Sequence, residues 1–158
     1  MTSLFETYNP SILAIPAYYM LSVLPHGYAI NVATQGKLNA WDNRNPRSTD
    51  LKASLKQRLP AETFAKYERL EACHANGMEN LPLFASAVIL GNMAGLKKQD
   101  LTAFVGTFLA IRIAYTAVYA TNQTQGLALI RTGIFNAGVL LCLRTIIQAA
   151  RALGGTRV

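Results

Sequence analysis

The chain has 158 residues, 51% of them hydrophobic and 15% charged, with a mean hydropathy of +0.21, which gives enough length for one domain and too much apolar surface for an ordinary soluble one. Fifteen Lys and Arg against eight Asp and Glu leave a net charge of +7, so nucleic acid, an anionic membrane surface or an acidic ligand would each suit it. Seven of the basic residues (Lys37, Arg44, Arg47, Lys52, Lys56, Arg58 and Lys66) fall in one polar stretch between two apolar runs, unaccompanied by a zinc-finger or RNA-recognition signature, which favours a membrane-flanking loop over a nucleic-acid partner.

In chain order, Met1 to Pro10 is a polar lead whose Asn9-Pro10-Ser11 marks a turn before a helix. Residues 11–34 are apolar apart from Ser22, His26 and Asn31, long enough to cross a hydrocarbon layer of roughly 30 Å. No Lys or Arg precedes this run, and it exceeds the apolar core of a signal peptide, so it reads as a retained transmembrane helix. Pro16 and Pro25 predict kinks, with His26 a polar residue beside one of them and Asn31 a marginal ligand contact. A polar loop over 35–68 turns at Asn45-Pro46 and becomes helical after Pro60. A second span covers 69–96 with Pro82 inside it, Lys97-Lys98-Gln99-Asp100 makes a tight connection, and spans at 101–120 and 127–150 follow. The expectation is a single all-α domain over 1–158, an integral membrane four-helix bundle.

Chemistry concentrates where polar groups enter these spans, because ionisable side chains are costly in a membrane. Arg69, Cys73, Asn76, Glu79, Asn80 and Leu83 fall within roughly 120° of one helix face, with His74 pointing away. On the third span Arg112, Tyr115, Thr116, Tyr119 and Gln123 recur at three- and four-residue steps and so share a face. Arg131 sits one turn into the fourth span, at the depth of Arg69 and Tyr119. Arg144 lies 13 residues further on, about 220° around the helix, too far round to serve the same site, and suits snorkelling to the opposite surface. Cys73 and Cys142 read as small core residues, and two histidines in different spans give no metal set. Gly91, Gly95 and Gly106 read as close-packing positions between helices.

Flanking charge puts the 35–68 loop in the cytoplasm and both termini on the other side. Asn122-Gln123-Thr124 has the form of a glycosylation acceptor, which this topology leaves unmodified.

Four spans, a long basic first loop, the run Glu68-Arg69 through His74, Asn76, Glu79-Asn80 to Pro82-Leu83-Phe84, and Arg112 with Tyr115-Thr116 and Tyr119 together resemble the MAPEG family of membrane-associated proteins in eicosanoid and glutathione metabolism. The resemblance covers about residues 12 to 150. It implies a homotrimer, in the endoplasmic reticulum membrane if the source is eukaryotic, with glutathione bound at the cytoplasmic half of each subunit interface and a lipophilic substrate arriving from the bilayer. By the same resemblance Lys37, Arg69, His74, Asn76, Glu79, Arg112, Thr116 and Tyr119 are the glutathione-binding positions. Arg131, followed by Thr132, matches the thiol-activating arginine. Two departures stand out. Ala72 occupies a position where family members commonly carry a second arginine, and the interval from Tyr119 to Arg131 is longer than in the eicosanoid enzymes.

Such a set of groups implies definite chemistry. A guanidinium in a water-poor pocket favours the thiolate form of glutathione. Arg131 takes that task with Thr132 as hydrogen-bond donor, Glu79 takes the peptide's ammonium group, Asn76 its amides, and Arg69 and Lys37 its carboxylates. The product is a glutathione-dependent transferase, peroxidase or isomerase acting on a lipophilic electrophile. Two alternatives remain at this level: a glutathione-independent isomerase or cyclase using the same Arg, Tyr, His and Glu as acid and base, and a non-catalytic lipid-binding scaffold.

Overall fold

A computed structural model of the chain describes residues 8–121 and 124–155. Asn122 and Gln123, which carry the predicted glycosylation acceptor and the last position of the third-span stripe, lie outside the described residues. Four long helices dominate: α1 (Pro10–Ala33), α3 (Ala61–Met93), α4 (Lys98–Thr121) and α5 (Gln125–Gly154). A short helix, α2 (Thr49–Arg58), and a 3-10 turn (Leu38–Ala40) occupy the linker between α1 and α3. The polar stretch expected as a loop therefore contains a helix of its own, while α3 starts at Ala61, directly after Pro60 as expected, and stops at Met93, short of the predicted span end at 96. The added helix comes from capping that outweighs polarity: Ser48 accepts the Leu51 amide at the head of α2, with Asp50 in its first turn and Lys56 and Arg58 in its last. Pro60 precedes α3 and presets its first turn. Helices α1 and α3 run without interruption through Pro16, Pro25 and Pro82.

Two of the four long helices, α4 and α5, are long and apolar enough to cross a membrane. The other two are diluted by polar groups, α1 by Ser, Tyr, His and Asn and α3 by its charged first half. Helix α3 packs against all three others, α1 most extensively; α4 likewise touches α1, α3 and α5. The core where they meet is aromatic. Phe84 stacks on Phe108 at 4.1 Å, and Tyr18 stands edge-on to both at 5.3 and 5.0 Å, while its hydroxyl donates to the Gly77 carbonyl over 3.0 Å. At the far end Asn9 caps α1 and donates to Asn92 Oδ1 (2.7 Å), and Asn92 donates back to Ser11 Oγ (3.0 Å), tying the start of α1 to the end of α3. Polar ties of this kind and close van der Waals contact hold helices together where lipid removes the hydrophobic drive between them. Both cysteines are buried and free, as expected of core residues.

Small residues set how closely the helices approach. A Cβ on Gly91 would meet Leu101 Cδ2 at 2.7 Å, so this position does act in packing. Gly95 and Gly106 do not: each has open space where a Cβ would lie, and Gly95 instead supplies a left-handed turn (φ +66°) after α3. Gly77, not singled out by sequence, is the less forgiving position, since a Cβ there would meet Ser22 Cβ and Oγ at 2.8 Å and its backbone Cα at 3.3 Å, where Gly91 faces only the end of a leucine side chain at 2.7 Å. Gly77→Ala is therefore expected to destabilise the protein by about 1–3 kcal/mol, as overpacking outweighs the roughly 1 kcal/mol gained in helix propensity. A fall in the thermal unfolding midpoint in detergent checks this, and an unchanged or raised midpoint would show that α1 can yield.

Candidate functional site

The outer face of α3 is the floor of an open groove. Helix α1 covers α3 along Leu70, Gly77 and Phe84, and Tyr115, Tyr119 and Phe135 of α4 and α5 cover it at Cys73, all four α3 positions being buried, which leaves Glu68, Glu71, Ala72, Ala75, Met78 and Glu79 facing outward. The linker returns over these residues with Pro46, Arg47, Ser48, Thr49 and Lys52, and Tyr119 of α4 and Arg131 of α5 close the third side, enclosing about 990 Å³. Arg69, His74, Glu79, Tyr119 and Arg131, five of the predicted positions, line this one groove. His74, expected to point away from the polar face, lies in it, because the groove is rotated around α3 from the predicted arc. Cys73 and Asn80 turn into the protein instead.

Charge in the groove separates into paired and unpaired groups. Lys52 Nζ meets Glu68 Oε1 at 2.8 Å and His26 Nδ1 meets Glu71 Oε1 at 2.7 Å. Arg47, Arg69, Arg131 and Glu79 have no ion-pair partner among the described residues, and Arg69 Nε is buried without a hydrogen bond. Three guanidinium groups and one carboxylate thus stand ready for a ligand rich in anionic groups and carrying one cation.

Arg131 Cζ lies over Tyr119, 4.3 Å from the ring centroid; Tyr119 stands edge-on to Tyr115 (5.4 Å), and Arg112 Cζ lies 4.4 Å from the Tyr115 centroid. The series leads from the groove, at Arg131 and Tyr119, to the buried Arg112, which lines neither the groove nor the smaller cavity beside it. Arg112 is buried at 3% exposure, also faces Tyr18 and Phe135, and its side chain has no hydrogen-bond partner among the described residues. Asn76 and Thr132 line a smaller cavity of about 170 Å³ with Tyr115, Tyr119, Arg131 and Phe135. Tyr119 and Arg131 thus belong to both spaces. Asn76 Nδ2 donates to the Ala72 carbonyl at 2.8 Å, leaving its oxygen to accept. Thr116 donates to the Arg112 carbonyl at 2.9 Å and lines neither cavity. Lys37 is exposed beyond the end of α1 and is also away from both. Asn31 is exposed, and Arg144 is exposed at the opposite end, where it lines a cavity of about 300 Å³ with Asp100 and Gln148.

The comparison that decides the family is with family signatures, where the match runs over residues 12–151. The chain belongs to the MAPEG family. Searches among curated proteins and among solved structures gave no significant match. The MAPEG assignment makes this a membrane protein of a family that includes glutathione transferases and related enzymes. The matched region contains all of α3, α4 and the groove. Within this MAPEG chain the residues that sequence reasoning missed are those of the linker, Arg47, Ser48, Thr49 and Lys52, together with Glu68 and Met78 on α3. The one available signal was the Ser48 cap after Asn45-Pro46, which marks a structured linker rather than a tether.

Proposed function

We propose that this protein binds glutathione in the groove and uses its thiolate to attack, reduce or isomerise a lipophilic electrophile. The observation that carries the reading is the set of groove charges without partners: Arg47, Arg69 and Arg131 against Glu79, complementary to two carboxylates, one thiolate and one ammonium. Arg131, backed by Tyr119 and followed by Thr132, activates the sulfur; Glu79 takes the ammonium, Arg69 a carboxylate and Asn76 Oδ1 a peptide N–H. Arg112, with no anion of its own, stands behind Tyr115, lines neither cavity, and acts on a ligand only through the Tyr115–Tyr119 pair. Thr116 fixes the α4 backbone there, and Lys37 and His74 complete the binding positions, Lys37 from a neighbouring copy.

The assembly we propose is a homotrimer of four-span subunits in the endoplasmic reticulum membrane or its bacterial counterpart. Supporting it, α5 turns Leu129, Ile130, Leu140 and Ile147 outward together with the polar Thr132 and Asn136, a mixture that suits a protein neighbour better than lipid alone. Titrating the detergent-solubilised protein with glutathione while recording thiolate absorbance tests the function; no absorbance at saturating glutathione would refute it. Ala72 lines the groove next to Glu71, so Ala72→Arg is expected to tighten glutathione binding about tenfold, as one charge-assisted hydrogen bond of roughly 1.5–3 kcal/mol allows. Isothermal titration of both proteins measures this.

A second reading, acid/base isomerisation without glutathione, is favoured by one observation, the His26–Glu71 pair at the groove wall. Turnover of a lipophilic substrate in glutathione-free membranes would select it.

A further inference from the structure

Three titratable side chains on the seam between α1 and α3 have no part in holding the sulfur. His26 Nδ1 stands 2.7 Å from Glu71 Oε1, the His26 and His74 rings stack with centroids 5.0 Å apart and planes 28° from parallel, and His74 Nδ1 stands 2.9 Å from the Ser22 carbonyl oxygen. These contacts fix the tautomers. A carbonyl oxygen only accepts, so Nδ1 of His74 carries a proton; an ionised carboxylate only accepts, so Nδ1 of His26 does too. Each ring, when neutral, keeps its lone pair on Nε2.

The position of this stack bears on proton movement. Glu71 and His74 line the groove directly, and the side chain of His26 behind them retains 30% exposure. The groove's guanidinium groups cannot take up a proton, being permanently charged. The ionisable groups that share the groove with the stack are Arg47 of the linker, the Lys52–Glu68 pair, Arg69 and Glu79 on α3, Tyr67 beside Glu71, Tyr119 of α4 and Arg131 of α5, and the Lys66–Tyr28 pair joins α3 to α1. Among them the two imidazoles supply neutral nitrogen lone pairs.

We infer that the His26–His74 stack is the proton acceptor of the groove. When the bound thiol ionises, the S–H bond breaks with its electron pair left on sulfur, opposite Arg131, and the proton passes to Nε2 of a stacked imidazole instead of to bulk water. Glu71, 2.7 Å from Nδ1 of His26, sets a carboxylate opposite the imidazolium formed there. That proton is then at hand for the anion formed when the thiolate adds to its acceptor. His74 acts in the groove, and His26 and Glu71 act through it as positioning residues.

The inference rests on the glutathione reading, and a proton balance separates the two. Glutathione is added to the full-length protein in weakly buffered detergent at neutral pH, with thiolate absorbance and proton release followed in the same sample. The expected result is a release well below one proton per thiolate formed for the wild type and close to one for His74→Gln, whose amide can still donate to the Ser22 carbonyl, with Glu71→Gln between them. One proton released per thiolate in the wild type overturns the inference whatever the variants do, as does an identical fractional release in His74→Gln. Absence of thiolate absorbance in the wild type overturns the glutathione reading itself and the inference with it.

Discussion

Replacing Arg131 by alanine is expected to lower the thiolate fraction of bound glutathione by about one to two decades. An ordinary thiol ionises near 8.5, so roughly a few per cent is thiolate at neutral pH. One charge-assisted interaction worth roughly 1.5–3 kcal/mol shifts that balance by about that amount. Arg131 is the guanidinium placed for this. It lines both the groove and the smaller inner cavity, and its Cζ rests 4.3 Å from the Tyr119 ring centroid, a cation–π contact that restrains it beside a ligand. Arg131→Lys keeps the charge and loses the planar guanidinium, so it is expected to fall between wild type and alanine. Thiolate absorbance at saturating glutathione, together with kcat on a lipophilic electrophile, measures both variants. An alanine variant with wild-type absorbance and turnover would remove Arg131 from the chemistry.

Arg112→Met is expected to do two opposite things: raise the unfolding midpoint of the unliganded protein and weaken stabilisation by glutathione. A guanidinium at 3% exposure with no hydrogen-bond partner among the described residues carries a desolvation cost that pairing does not offset. Its contacts with the faces of Tyr18, Tyr115 and Phe135 return about 2 kcal/mol when desolvated. An unbranched apolar side chain of similar length fills the space among these rings at no such cost, and the net gain is on the order of 1 kcal/mol. The affinity lost is expected to be less than the roughly tenfold of one direct charge-assisted contact, because Arg112 lines neither cavity and acts through Tyr115. Melting curves with and without glutathione show both effects in one experiment. If methionine instead lowers the midpoint by several kcal/mol, Arg112 is a strut of the α1–α4 packing and its place in the ligand site falls.

The elements of this fold are legible in the sequence because apolar runs, prolines and caps are local signals. The shared depth of Arg69, Tyr119 and Arg131 is legible too, since position along a helix follows from residue count. Rotation about the helix axis is not. Six residues on one arc of α3 suggest a polar face, yet the line along which α1 docks decides which arc is core, and that line is set by Gly77 admitting Ser22, a contact between residues remote in sequence. Once α1 lies there and α4 and α5 pack beside it over Cys73, Cys73 and Asn80 are interior and Glu68, Glu71 and Ala72 face the groove. The His26–Glu71 pair, 45 residues apart, likewise emerges only from packing. A charge run such as 35–68 carries no periodic signal for the way Arg47 and Lys52 fold back over α3.

That returning linker also holds the chain's single tryptophan. Trp41 packs against Ala29, Leu55 and Tyr67 through the small core at the base of the linker, with its indole nitrogen buried. Just beyond it, Arg44 clasps Asp42 through its guanidinium and backbone amide, keeping that carboxyl down to about 2 and so ionised in any ordinary buffer. Next come Pro46 to Thr49, which roof the groove. The protein therefore contains its own optical label: the emission colour of one indole reports, without any attached dye, whether the roof lifts or settles when a ligand slides beneath it.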